Sequence, residues 1–218
     1  MGTRGIVGFV VDGQEKLSYN HFDSYPDYLG VHTLEWLKSK LTTRDGLAYL
    51  QADTEEAIRS LQMVDESGVP TPEQFERVKR FYNGSVGSRT TDDGQVDDSL
   101  NWYQALREAQ GDLGRTLDGG FALDSKGFAL DSLFCEWGYI IDLDAERFDV
   151  YRGFQQEVPT EGRWAGVANT EDEERPGIPT YHPIQRIMSI PFADVAGTDP
   201  ETFVAQAEQA AGHGEDDD

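Results

Sequence analysis

Residues 19–26 read Tyr-Asn-His-Phe-Asp-Ser-Tyr-Pro, a dense run of side chains able to move protons or ligate a metal. If the run continues a strand, His21 and Asp23 point to one face, while Asn20, Phe22 and Ser24 point to the other. An imidazole and a carboxylate on one face can work as an oriented general base or supply two metal ligands. The competing reading is a turn, in which Asn20, Asp23, Ser24 and Pro26 carry the chain out of a sheet.

Two further groups could join this run. Cys135-Glu136-Trp137 stands at the entry of a strand, with Cys135 and Trp137 on one face and Glu136 on the other. A cysteine nucleophile needs a neighbour that stabilises its thiolate, and otherwise behaves as a small buried hydrophobe. Arg4 begins the first strand, and the Asp12-Gly13 turn folds residues 19–21 back to its start. The expected cluster is therefore His21, Asp23, Arg4 and Glu136, with Arg4 neutralising one carboxylate and the other holding His21 in one tautomer. Thr3 ahead of a strand also has the look of an N-terminal nucleophile hydrolase. Such enzymes expose the nucleophile as residue one, whereas this chain begins at Met1.

Phosphate-cradling motifs (GxGxxG, GxxxxGK[ST]), the GxSxG elbow and HExxH are absent, and His32, His182 and His213 are scattered. Neither a cofactor nor a metal is expected. The single cysteine excludes an internal disulfide and any zinc site built on cysteines.

Charge narrows the partners. Lys and Arg total 18 against 41 Asp and Glu, a net charge of −23. That surface repels phosphates and anionic lipid, so direct nucleic-acid or membrane binding is not expected. A salt-adapted surface, attraction to a basic partner, or nucleic-acid mimicry would each produce such a charge. Mimicry calls for acids spaced regularly on helices, whereas many here fall in loops, such as Glu171 to Glu174 and the tail Glu215 to Asp218. With aromatics at 11% and four Trp, the chain can still build a core. The apolar stretch Ile6–Val11 is too short for a signal or membrane segment, which predicts a cytoplasmic protein.

The elements that must position these groups follow from periodicity. Gly5 to Val11 and Glu15 to Asn20 read as a hairpin. Helices are expected over 32–42, from an Asp53 cap to about Met63, from Thr71-Pro72 to Asn83-Gly84, and from a Ser99 cap to Gln110-Gly111. Ser85 to Asp98 reads as a mobile loop. The hexapeptide Gly-Phe-Ala-Leu-Asp-Ser occurs twice, at 120–125 and 127–132, and predicts two short strands. A clear hairpin spans Phe134 to Gly153, with Trp137, Tyr139 and Ile141 on one face. A long loop over 155–183, a strand from Ile184 to Phe192 and a helix from Asp199-Pro200 complete the chain.

The start Met-Gly-Thr-Arg-Gly, the run Tyr-Asn-His-Phe-Asp-Ser-Tyr-Pro and the hairpin Cys-Glu-Trp-Gly-Tyr-Ile-Ile-Asp-Leu-Asp resemble a family of uncharacterised prokaryotic and phage proteins. The resemblance implies that these segments belong together in one fold, and implies no activity. Segregated runs of helix and strand predict one α+β domain over 1–211, followed by a disordered acidic tail at 212–218. Its sheet is mainly antiparallel, open to a sandwich like that of the N-terminal nucleophile hydrolases, and the N-terminal hairpin pairs with the 134–153 hairpin. Two functions are expected. One is a small hydrolase-like enzyme acting on a small molecule at Tyr19–Pro26. The other is a non-enzymatic protein of phage or host that meets a basic protein partner.

Overall fold

The computed structural model describes residues 2–82, 89–90, 96–97, 101–169 and 179–212. The chain opens with β1 (Gly5–Val11) and β2 (Gln14–Asn20), then a π-helical turn (Pro26–Gly30), α1 (Val31–Lys40), β3 (Leu41–Arg44) and β4 (Leu47–Leu50). Next come α2 (Ala52–Ser60), β5 (Gln62–Val64), α3 (Pro72–Val78), β6 (Arg89–Thr90), β7 (Val96–Asp97) and α4 (Trp102–Leu106). Then follow α5 (Leu113–Gly119), β8 (Phe121–Leu123), a 3-10 helix (Lys126–Leu130), β9 (Trp137–Asp142) and β10 (Arg147–Arg152). The last elements are β11 (Gln185–Pro191), α6 (Phe192–Val195) and α7 (Pro200–Ala210).

Every residue of β1 is buried. An unbroken apolar run needs a strand on each side and cover on both faces. The five-stranded sheet supplies them in the order β11-β10-β9-β1-β2. The Asp12-Gly13 turn, with φ of 54° and 71°, joins β1 to β2 antiparallel, as a two-residue hairpin requires. On its other side β1 pairs with β9 in parallel, Gly5 opposite Trp137 and Phe9 opposite Ile141. The N-terminal hairpin does join the 134–153 hairpin, and that one parallel contact makes the sheet mixed.

Alternation sends Val7, Phe9, Tyr139, Ile141, Phe148 and Val150 to one face, packed against Leu34 and Leu37 of α1, Ile58 of α2 and Phe203 of α7. The other face carries Ile6, Val10, Leu17, Ile140 and Tyr151, covered by Ala129, Cys135, Trp164 and Ile184 from the connecting segments. A third cluster joins Val78, Trp102, Leu106, Phe121 and Leu123, while Ala122 between the last two faces the first cluster. Lys16 ties α2 to the sheet. Its buried ammonium donates to the carbonyls of Ile58, Arg59 and Leu61 at 2.9, 2.7 and 2.8 Å, where the carbonyls at the end of α2 need partners.

Several expectations change. Asp53 sits inside α2, which starts after Gln51 and ends at Ser60, leaving Met63 in β5. The helix expected from Thr71-Pro72 forms, with a capping box between Thr71 and Gln74. The fourth helix is capped by Asn101 with Gln104, not by Ser99, which lies outside the described residues. Beyond it stands α5, capped by Asp112, which the sequence reading did not foresee. The hairpin β3–β4 around Asp45-Gly46 was also missed. Within the 85–98 segment β6 and β7 pair antiparallel, and the rest lies outside the described residues. The second copy of the hexapeptide is a 3-10 helix rather than a strand. The acidic tail beyond Gly212 lies outside the described residues.

Candidate functional site

One end of the sheet gathers the start of β1, the end of β2, the start of β9 and the end of β10. Arg4, His21, Glu136 and Arg152 therefore stand at the same pole. Arg4 and Glu136 meet through the backbone: the Glu136 N–H donates to the Arg4 carbonyl at 3.0 Å, and the Arg4 N–H donates to Glu136 Oε1 at 3.3 Å. The Arg4 guanidinium lies elsewhere, 5.4 Å from the centre of the Phe134 ring. Arg152 donates to the Glu136 carbonyl at 2.8 Å and lies over Trp137 and Phe154, at 4.7 and 4.8 Å.

His21 and Asp23 do not share a strand face, because β2 stops at Asn20 and the alternation ends with it. His21 Nδ1 and the Tyr19 hydroxyl are hydrogen-bonded at 2.7 Å, and the ring packs edge-on to Phe22. Burial, then the charges of Arg107 and Arg4, hold the imidazole below its ordinary pKa. No carboxylate pairs with His21 among the described residues, so the expected carboxylate lock on its tautomer does not form and its ring partner is the Tyr19 hydroxyl. Asp23 takes a left-handed conformation, φ 52°, and its carbonyl accepts the Leu29 N–H.

The polar run mainly builds a turn. Asn20, buried, donates to the Phe22 carbonyl and to Ser24 Oγ. The Ser24 N–H reaches the Thr3 carbonyl at 3.2 Å, and the Tyr139 hydroxyl donates to the Ser24 carbonyl at 3.0 Å. Thr3 itself is buried, so its side chain is enclosed at this pole. Cys135 is fully enclosed. Burial, reinforced by Asp131 and Glu136, drives its thiol well above the usual range, the opposite of what a nucleophile needs.

What the sequence reading did not anticipate is the apolar rim of this pole. Phe22, Tyr25, Phe134 and Phe154 are all large and exposed, at 55%, 49%, 46% and 43%. Phe134 and Phe154 lie under Arg4 and Arg152, and Phe22 lies beside Gly2 and His21.

A second charged group was missed outright. Glu15, Arg163, Asp142, Arg147, Asp149, Arg186 and Glu161 alternate in sign along one chain of contacts, from 2.9 to 3.7 Å. Asp142 and Asp149 are buried, and Asp149 Oδ1 has no hydrogen-bond partner among the described residues. Burial, then Asp149, pushes the neighbouring Tyr151 hydroxyl up to about 12. The signal was present in β10, where Arg147, Asp149 and Tyr151 alternate with the apolar Phe148 and Val150. Two arginines on each buried aspartate offset its desolvation, and losing both would leave an uncompensated buried charge at a cost of about 3–5 kcal/mol.

No group of three or more His, Cys, Asp or Glu among the described residues could hold a metal ion, and no helix there is long and apolar enough to cross a membrane. No protein-family model, no curated protein and no solved structure matches the chain.

Proposed function

We propose that the protein works by binding: a non-enzymatic, acidic interaction protein that meets a basic partner in the cytoplasm and does not bind nucleic acid directly. The observation that carries this reading is the exposed aromatic rim of Phe22, Tyr25, Phe134 and Phe154, set on a chain of net charge −23. Clustered exposed rings are what protein interfaces use for anchorage. A strongly negative field selects and steers a positive partner toward them. Asn20, Ser24 and the Tyr139 hydroxyl at the same pole are engaged in holding the turn together.

The hydrolase-like reading keeps one supporting observation, an imidazole held toward its neutral form and hydrogen-bonded to the Tyr19 hydroxyl. Immobilised protein should retain basic members of a panel of small purified proteins spanning isoelectric points, and release them as salt rises. A Phe134→Ala/Phe154→Ala double variant should retain less at equal charge. Turnover of ester, amide or phosphoester substrates that disappears in His21→Ala would overturn the binding reading and restore the enzyme.

A further inference from the structure

A cleft of about 430 Å³ opens between the π-helical turn with α1 on one side and the segment 108–115 on the other. Tyr28, His32 and Trp36 line the first wall at intervals of four residues, which stacks them along one helix face. Tyr28 and His32 meet edge to face with centroids 4.3 Å apart, and Trp36 is anchored against Phe9 at 5.7 Å. The facing wall bears Glu108 and Asp112. Its one cation, Arg115, is engaged: Nε lies 3.3 Å from Asp112 Oδ2, and Nη1 donates to the Glu108 carbonyl at 2.8 Å.

This combination selects by charge. Aromatic faces attract a cation through their quadrupoles, and a planar guanidinium also stacks on them. Two carboxylates against one arginine leave the lining net negative, which together with the charge of −23 favours a positive guest and repels an anionic one. We infer that the cleft receives an arginine side chain of the basic partner, an inference that rests on the binding reading above. The guanidinium lies within the aromatic wall of Tyr28, His32 and Trp36, with Glu108 on the facing wall. The exposed aromatic rim is a separate surface and does not enter this argument.

The test follows the indole N–H of Trp36 by NMR in the full chain, assigned by its loss in Trp36→Phe. The probes are N-acetyl-arginine amide and its neutral isostere N-acetyl-citrulline amide. Arginine amide should shift the signal with an affinity at least about fivefold above that of the citrulline compound. Tyr28→Ala, at an exposed position that leaves the unfolding midpoint in place, should remove most of that preference. Equal response to the two probes, or none, overturns the inference. An arginine-rich peptide separates it from the reading beneath it. Salt-sensitive peptide binding weakened by Tyr28→Ala and by Glu108→Gln supports the cleft. Peptide binding that Tyr28→Ala leaves unchanged sinks the cleft and spares the basic-partner reading, whereas a peptide that does not bind at low salt sinks both.

Discussion

Residues 120–125 and 127–132 spell the same hexapeptide, Gly-Phe-Ala-Leu-Asp-Ser, yet the first copy runs as β8 while the second winds into a 3-10 helix. In the first copy Gly120 closes α5 in a left-handed conformation, φ 74°, and launches an extended chain alongside β5. Phe121 and Leu123 then bury with Trp102 and Val78, and Ala122 turns toward the main core. In the second copy the Phe128 N–H closes back on the Ser125 carbonyl at 2.9 Å, and the chain pairs with no strand among the described residues. Ala129 is enclosed against the second face of the sheet, Phe128 meets Tyr19 edge-on at 5.0 Å, and Leu130 is left 41% exposed. Six identical residues have no fixed conformation of their own here. Pairing with β5 for one copy and packing on a sheet face for the other decide between extended and wound, as tertiary contacts commonly override local propensity.

Paired substitutions test that contrast. Phe121→Ala should cost about 3–5 kcal/mol in denaturant unfolding and Phe128→Ala less than half as much, because the second ring is only partly buried. Similar costs for the pair would break the contrast. Leu123→Ala should cost about 3 kcal/mol and Leu130→Ala less than about 0.5, the leucines being 2% and 41% exposed.

The glycines and serines should separate more narrowly. Gly120→Ala should cost about 1–2 kcal/mol, since an L residue resists that φ, while Gly127→Ala, with open space around it, should stay within about 0.5. Ser132 is enclosed and accepts the Gln155 N–H at 3.0 Å, so Ser132→Ala should cost about 1–2 kcal/mol and Ser125→Ala little.

The smallest effect reaches the sheet pole. His21 titrates below its ordinary 6.5 in the folded protein, so the unfolded chain takes up the proton first. Its contribution is intact above that value and is lost as pH falls from there toward the lowered folded value. Stability measured against His21→Gln should therefore decline as pH falls below about 6.5. Phe128→Ala, by uncovering Tyr19, should move the imidazole titration upward in an NMR experiment, and Phe121→Ala should leave it alone. A wild-type curve parallel to that of His21→Gln would mean that the imidazole is not perturbed.

Much of the architecture was legible because it rests on local signals. Asp12-Gly13 forces a tight hairpin, Thr71-Pro72-Glu73-Gln74 caps a helix, and the alternation of Trp137, Tyr139 and Ile141 marks one apolar face of a strand that is buried on both. The site was legible only in part. Arg4 and Glu136 come together because both begin adjacent strands, and the hairpin returns His21 near Arg4. Asp23 was misplaced because period-two reasoning ran past Asn20, where its side-chain hydrogen bonds turn the chain. The ion chain through Asp142 and Asp149 escaped notice because its members are far apart in sequence and only the strand order makes them neighbours.

By itself the sequence determined the charge, the lone thiol, the turn and cap positions, and which strands have an apolar face. These properties depend on residue type and on neighbours within a few positions. The tertiary structure alone decided that β1 and β9 run parallel, that one hexapeptide copy is strand and the other helix, and that Lys16 holds the end of α2. It also decided that Tyr28, His32 and Trp36 face Glu108 across a cleft. Each of these depends on which distant segment supplies the missing hydrogen-bond edge or apolar cover, and burial is a property of the assembled whole.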